Sequence, residues 1–138
     1  MIRALIGAAL LGVVLLATRL ASRRRQPAPA PAARRSVPAQ LYRADFPNPD
    51  APWIAVLFSS STCASCAPMA DKVRALESDD VAVAVVEFTQ HRDLHERYAI
   101  DAVPLVVIAD RDGVTRASFA GAVSAADLWA AVAQLRDE

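Results

Sequence analysis

The feature that most constrains this chain is a buried-strand signal that runs directly into a pair of cysteines. Trp53-Ile54-Ala55-Val56-Leu57-Phe58-Ser59 is apolar almost throughout, walled off by Pro47, Pro49 and Pro52 before it and by Ser60-Ser61-Thr62 after it. A short apolar run between such breakers reads as a buried strand. Cys63-Ala64-Ser65-Cys66 follows, and these are the only cysteines in the chain. Two cysteines this close do not make the multi-bridge scaffold of small secreted folds, so the domain must stand on its hydrophobic core. About 100 residues suffice for that.

After the motif the apolar residues recur at helical spacing. Cys66, Met69, Val73 and Leu76 share one face, which predicts a helix over 64–77 with Pro68 in its early turns, where a missing N–H costs least. This turns Cys66 inward and leaves Cys63 at the open N-terminal end. The unpaired N–H groups and the positive end of the dipole there favour a thiolate. A thiolate beside a second thiol can attack a disulfide and then be resolved by its neighbour, which is thiol–disulfide exchange. That chemistry needs no cofactor and no metal. The formal net charge of +0 gives no global attraction to nucleic acid, and 6% aromatic residues are too few for a base-stacking surface.

The N-terminus reads as a membrane segment. Every residue from Ala4 to Ala17 is apolar or glycine, and Arg3 and Arg19 bracket the run where they can snorkel. Residues 1–21 give the roughly 20 positions needed to cross about 30 Å of hydrocarbon. A signal peptide is the rival reading, but no small-x-small cleavage site follows and Arg23-Arg24-Arg25 comes directly after. With those arginines and Arg34-Arg35 behind the span, the positive-inside rule places the C-terminal domain on the cytoplasmic side of the cell membrane, as a single-pass protein. Residues 22–38, basic and then Pro/Ala-rich, read as a semi-rigid linker. The soluble domain is expected over 39–138.

Within it, 41–46 reads as a short edge strand or a turn, and 81–88 as a second buried strand. A short helix is expected over 93–98 and a third strand over 104–109. Asp110-Arg111-Asp112-Gly113 is a hairpin turn leading to an antiparallel fourth strand over 114–120. Ser124-Ala125-Ala126-Asp127 is a capping box for a last helix that buries Leu128, Val132 and Leu135. The order β-α-β-α-β-β-α, with Cys-x-x-Cys at the first strand-to-helix turn and Val103-Pro104 opening the third strand, resembles the thioredoxin family over roughly 39–137. The resemblance implies an α/β thioredoxin-like fold, a mixed four-stranded sheet flanked by helices, here with an N-terminal transmembrane helix. It implies a cis Val103–Pro104 bond against the dithiol, with Val103 pairing its backbone to a substrate segment. It implies Cys63 as the attacking thiol, Cys66 as the resolving thiol, and protein disulfides or dithiols as substrates; Thr62, next to Cys63 in the chain, reads as a substrate-side residue that helps to position and acidify that thiol. The whole chain is similar to membrane-anchored thioredoxin-like proteins of high-GC actinobacteria in its Ala/Arg/Val-rich composition.

Five positions depart from thioredoxins proper. Thr62 stands where they have tryptophan, Ala64-Ser65 where they have Gly-Pro, Leu57 where they bury an aspartate, and Val85 where that aspartate's lysine partner lies. Two other readings stay open. One is a non-catalytic adaptor, a binding platform at the membrane with a regulatory or vestigial dithiol. The other is a Cys2His2 zinc site using His91 and His95, whose His-x3-His spacing suits zinc. Against it, 24 residues separate Cys66 from His91, where the finger pattern has about 12 to 15. Alone, His91 and His95 read as surface residues of a short helix, His91 being placed to favour a Cys63 thiolate. Glu87, at the end of a buried strand, reads as reaching solvent or as a proton acceptor for Cys66.

Overall fold

Residues 36–137 are described by a computed structural model. The anchor expected at 1–21 lies outside them, as does most of the linker expected at 22–38. No described helix is long and apolar enough to cross a membrane. A 3-10 turn (Arg43–Asp45) precedes β1 (Trp53–Ser59), α1 (Cys66–Arg74), β2 (Val81–Glu87), α2 (Arg92–Arg97), β3 (Leu105–Asp110), β4 (Thr115–Ala120) and α3 (Ala125–Arg136). The strands form one mixed sheet in the order β2-β1-β3-β4. β1 runs parallel to β2 and antiparallel to β3, and β4 closes the antiparallel edge.

Successive side chains of a strand point to opposite faces, and β1 is apolar on both. Ile54, Val56 and Phe58 enter one cluster with Leu41, Phe46, Val86, Val107 and Tyr98. Ala55 and Leu57 enter the other with Met69 and Val73 of α1 and Leu128 and Val132 of α3. Helices therefore cover both faces, α1 and α3 on one side and α2 with the N-terminal turn on the other. β4 alternates between half-buried and exposed positions, as an edge strand does. Ser124 caps α3, its Oγ accepting the Asp127 N–H at 3.1 Å and donating to the Asp127 carboxylate at 2.7 Å.

Expected and observed strands agree within a residue at each end; two other elements differ. The first helix begins at Cys66, not at 64, and ends at Arg74. Pro68 has no N–H to bond the Ala64 carbonyl, so the first i→i−4 bond runs from Met69 N–H to the Ser65 carbonyl at 3.3 Å. At the other end Leu76 and Glu77 bond three residues back, tightening the last turn. The segment 41–46 makes only an isolated bridge, Gln40 to Val114, before its 3-10 turn. Buried Arg43 holds it there: its guanidinium donates to the carbonyls of Ala51 and Asp110 at 3.0 Å and of Asn48 at 3.1 Å.

The chain enters the domain alongside the start of β4, where Thr115 N–H donates to the Ala39 carbonyl at 3.0 Å. That end of the sheet is opposite the dithiol, since β4 begins beside Ala109 and Ala109 pairs with Ile54 near the start of β1. Gly113 closes the hairpin with φ +80°, and its carbonyl accepts the Leu41 N–H at 2.7 Å. A Cβ there would lie 1.9 Å from the Leu41 carbonyl oxygen. Gly113→Ala therefore combines a left-handed-backbone penalty with a backbone clash. We expect it to cost about 2 to 4 kcal/mol, read as a lower urea midpoint at unchanged slope.

Candidate active site

The dithiol sits where β1 hands over to α1. Two successive turns make the connection: Cys63 N–H donates to the Ser60 carbonyl and Cys66 N–H to the Cys63 carbonyl, both at 3.1 Å. The cysteines are joined as a disulfide with Cα atoms 5.4 Å apart. Cys66 is 3% exposed and belongs to the buried face of α1, whereas Cys63 is half-buried. Thr62 is exposed beside it, with its hydroxyl bonded to Ser60 Oγ at 3.0 Å. Ser65 Oγ lies 3.6 Å from Cys63 Sγ, a hydroxyl contact for which the local sequence pattern carries no signal.

Two hollows flank this loop. One of about 340 Å³ is lined by Ser61, Cys63, Cys66, Arg74, Val85 and Glu87, among others. The other, of about 210 Å³, brings Ser60 together with Phe88, His95, Ile100, Asp101 and Val103. The Val103–Pro104 bond is cis, and Pro104 is buried at the start of β3. The fold thus brings Cys63, Cys66 and Thr62 into one loop and sets Val103 across Ser60 from it.

The thioredoxin-like domain family matches residues 44–136. The chain belongs to the thioredoxin-like family. Among solved structures it is similar to the germline-specific thioredoxin Deadhead of Drosophila melanogaster, at 28% identity, with 63% of this chain and 84% of that one covered and a TM-score of 0.54. The thioredoxin of Fasciola hepatica matches at 28% identity over 62% of this chain and 83% of that one, again with a TM-score of 0.54. The thioredoxin of Malassezia sympodialis shares the fold at 20% identity, covering 60% of this chain and 74% of that one, with a TM-score of 0.51. No curated protein sequence matches the chain. With its Cys-x-x-Cys pair in place, this thioredoxin-like protein is a thiol–disulfide oxidoreductase.

Its departures from thioredoxins proper are now spatial. Leu57 and Val85 are register partners on β1 and β2, and both pack on the α1 side of the sheet. The position behind the inner thiol is therefore apolar. The histidines do not join the cysteines. His91 is exposed and lines a separate hollow with Asp45 and Leu94. His95 is not a surface residue, as expected from sequence, but 3% exposed. Its Nε2 lies 3.0 Å from the Val86 carbonyl, which can only accept, so that nitrogen carries a proton. Phe58 and Phe88 meet its ring edge-to-face. The four residues of the Cys2His2 spacing are thus spread over a disulfide, an exposed position and a packed ring.

Glu87 ends β2 directly beside Ser59. One carboxylate oxygen accepts the Ser61 N–H at 2.9 Å; the other accepts the N–H groups of Thr89 at 2.8 Å and Gln90 at 3.1 Å, and the Thr89 hydroxyl. The Thr89 hydroxyl bond foremost, then the Ser61 N–H, lowers its pKa from 4.5 to about 2. A carboxylate that acidic is a weak base, which argues against the proton-acceptor role for Cys66. Because the folded pKa lies below the unfolded one, Glu87 contributes its stabilisation in full above about pH 4.5 and loses it as pH falls toward about 2. Urea unfolding at stepped pH should show wild type more stable than Glu87→Gln at pH 6, with the gap narrowing across that window.

Proposed function

We propose that this protein is a membrane-anchored thiol–disulfide oxidoreductase that exchanges disulfides with protein partners. On this reading residues 1–21 hold it in the cell membrane and the domain faces the cytoplasm, where it acts as a reductant. The observation that carries the exchange chemistry is the asymmetry of the pair: Cys63 is reachable at the loop, and Cys66 waits behind it on the buried face of α1.

In the reduced protein Cys63 is the thiolate. It attacks one sulfur of a partner disulfide, forming a Cys63–partner bond while the other partner sulfur leaves and takes up a proton. Cys66 then gives up its proton and attacks Cys63 Sγ. The mixed disulfide breaks, the second partner sulfur is released, and two electrons have passed from the dithiol to the partner. Thr62 helps to position the attacking sulfur. Val103, lining the hollow across Ser60, offers its backbone to the substrate segment beside Pro104. With Leu57 and Val85 behind the inner thiol, the Cys66 proton leaves through the hollow that opens between α1 and the end of β2.

Cys66→Ser should accumulate a mixed disulfide through Cys63, visible as a reducible band on a non-reducing gel, and Cys63→Ser should accumulate none. A second reading, a binding platform whose dithiol is vestigial, draws on the apolar replacement at Leu57 and Val85. It requires Cys63→Ser to keep full cellular function, whereas exchange requires that variant to lose it. For the anchor, the full chain should stay in the membrane pellet through alkaline carbonate extraction, and its thiols should resist an impermeant alkylating reagent until the cells are opened. Extraction into the supernatant would remove the anchor from the proposal; labelling in intact cells would reverse its orientation.

A further inference from the structure

A carboxylate in the wall of the dithiol hollow invites a second question about Glu87, beyond its part in stability. Its two oxygens divide their work. One holds Ser61, two residues before Cys63; the other closes the turn that leads from β2 into α2. The side chain is thus fixed between the loop that carries the nucleophile and the end of the neighbouring strand. Among the described residues, Glu87 is the one carboxylate lining the hollow that Cys63 and Cys66 share, and Arg74 of α1 is the one cation. Leu57 and Val85 add no charge from beneath. On the other side of Ser60 the titratable groups are His95, whose Nε2–H is turned to the Val86 carbonyl, and Asp101.

We propose that Glu87 is a positioning residue that keeps a fixed negative charge beside the dithiol, holding back the Cys63 thiolate and making the reduced pair a stronger electron donor. A negative charge near a developing thiolate disfavours it and raises the thiol pKa. Whatever destabilises the reduced form relative to the disulfide lowers the reduction potential, the reverse of an oxidant whose reduced form is stabilised. The hydrogen bonds to Ser61, Thr89 and Gln90 keep the carboxylate ionised throughout the range in which a thiol titrates, so its charge is constant while Cys63 changes. The proposal rests on the pair exchanging disulfides, and it assigns a direction to that exchange which the cysteines alone do not.

The test compares wild type, Glu87→Gln and Glu87→Asp in the full chain. Gln keeps a carbonyl acceptor and loses the charge; Asp keeps the charge on a shorter arm. The readout is the apparent pKa of Cys63 in the reduced protein, from its rate of alkylation by iodoacetamide against pH. A pure loop-fastening role would not move that value according to charge. The expected result is a pKa about half a pH unit lower in Glu87→Gln, a roughly threefold rise in thiolate at a pH below it, with Glu87→Asp close to wild type. In glutathione buffers the Gln variant should be less oxidised than wild type at the same poise. A Cys63 pKa unchanged or raised in Glu87→Gln, or lowered equally in Glu87→Asp, overturns the proposal. If wild type closes no Cys63–Cys66 disulfide at any glutathione poise, the exchange reading itself falls. Normal closure with an unresponsive pKa overturns the role of Glu87 alone.

Discussion

The burial of β1 on both faces is the constraint from which the rest of the domain follows. Ile54, Ala55, Val56, Leu57 and Phe58 are all 0% exposed, so neither side of the strand can face water. Burying each large apolar side chain contributes about 1.5 to 3 kcal/mol, and only a sheet with cover on both faces collects that gain from every residue of one strand. α1 and α3 supply one cover; α2, Leu41 and Phe46 supply the other. Because β1 and β2 are parallel neighbours, they end together, and the loops that leave them meet at one edge. Ser59 and Glu87 are paired there. The dithiol and the carboxylate beside it are neighbours because two buried strands stop at the same level.

The same burial explains what happens beneath the inner cysteine. In a fully covered strand a lone carboxylate is tolerated only with a partner or as the neutral acid, since an unpaired buried charge costs several kcal/mol. Leu57 and Val85 face each other across the β1–β2 ladder, so the two departures from thioredoxins proper are one event: an ion-pairing position made apolar on both strands. The core gains packing against α1 and loses a buried proton acceptor. Charge near the dithiol is then left to groups in the wall of the hollow, Glu87 and Arg74, which water can reach.

Much of this was legible in the residues. The proline-bounded run at 53–59, the alternation of strand and helix signals, the Asp-Gly hairpin and the Ser124 cap specify local structure through short-range rules, and the four strands lie within a residue of where those rules put them. The inward face of α1 was legible because Cys66, Met69, Val73 and Leu76 obey helical periodicity. What escaped were contacts between residues far apart in the chain. Arg43 looks like a surface charge until the carbonyls of Asn48, Ala51 and Asp110 converge on it. His95 sits in a polar stretch, yet Phe58 and Phe88 enclose it because α2 lies on the sheet face that Phe58 fills. The start of α1 was misplaced by two residues although its cause, the missing N–H of Pro68, stands in the sequence.

The sequence by itself determined the fold class and the chemistry: a strand that must be buried, a dithiol after it, and a helix that turns one sulfur inward. These depend on patterns a few residues long, where sterics, periodicity and capping act alone. Only the tertiary structure decided which groups surround the sulfurs. The pairing of Leu57 with Val85 depends on the β1–β2 register, and the approach of Glu87 to Ser61 on where both strands end. Val103 lies across Ser60 from the dithiol because β3 lies antiparallel beside β1. Register and strand order are settled by the packing of the whole core, and no local rule carries that information.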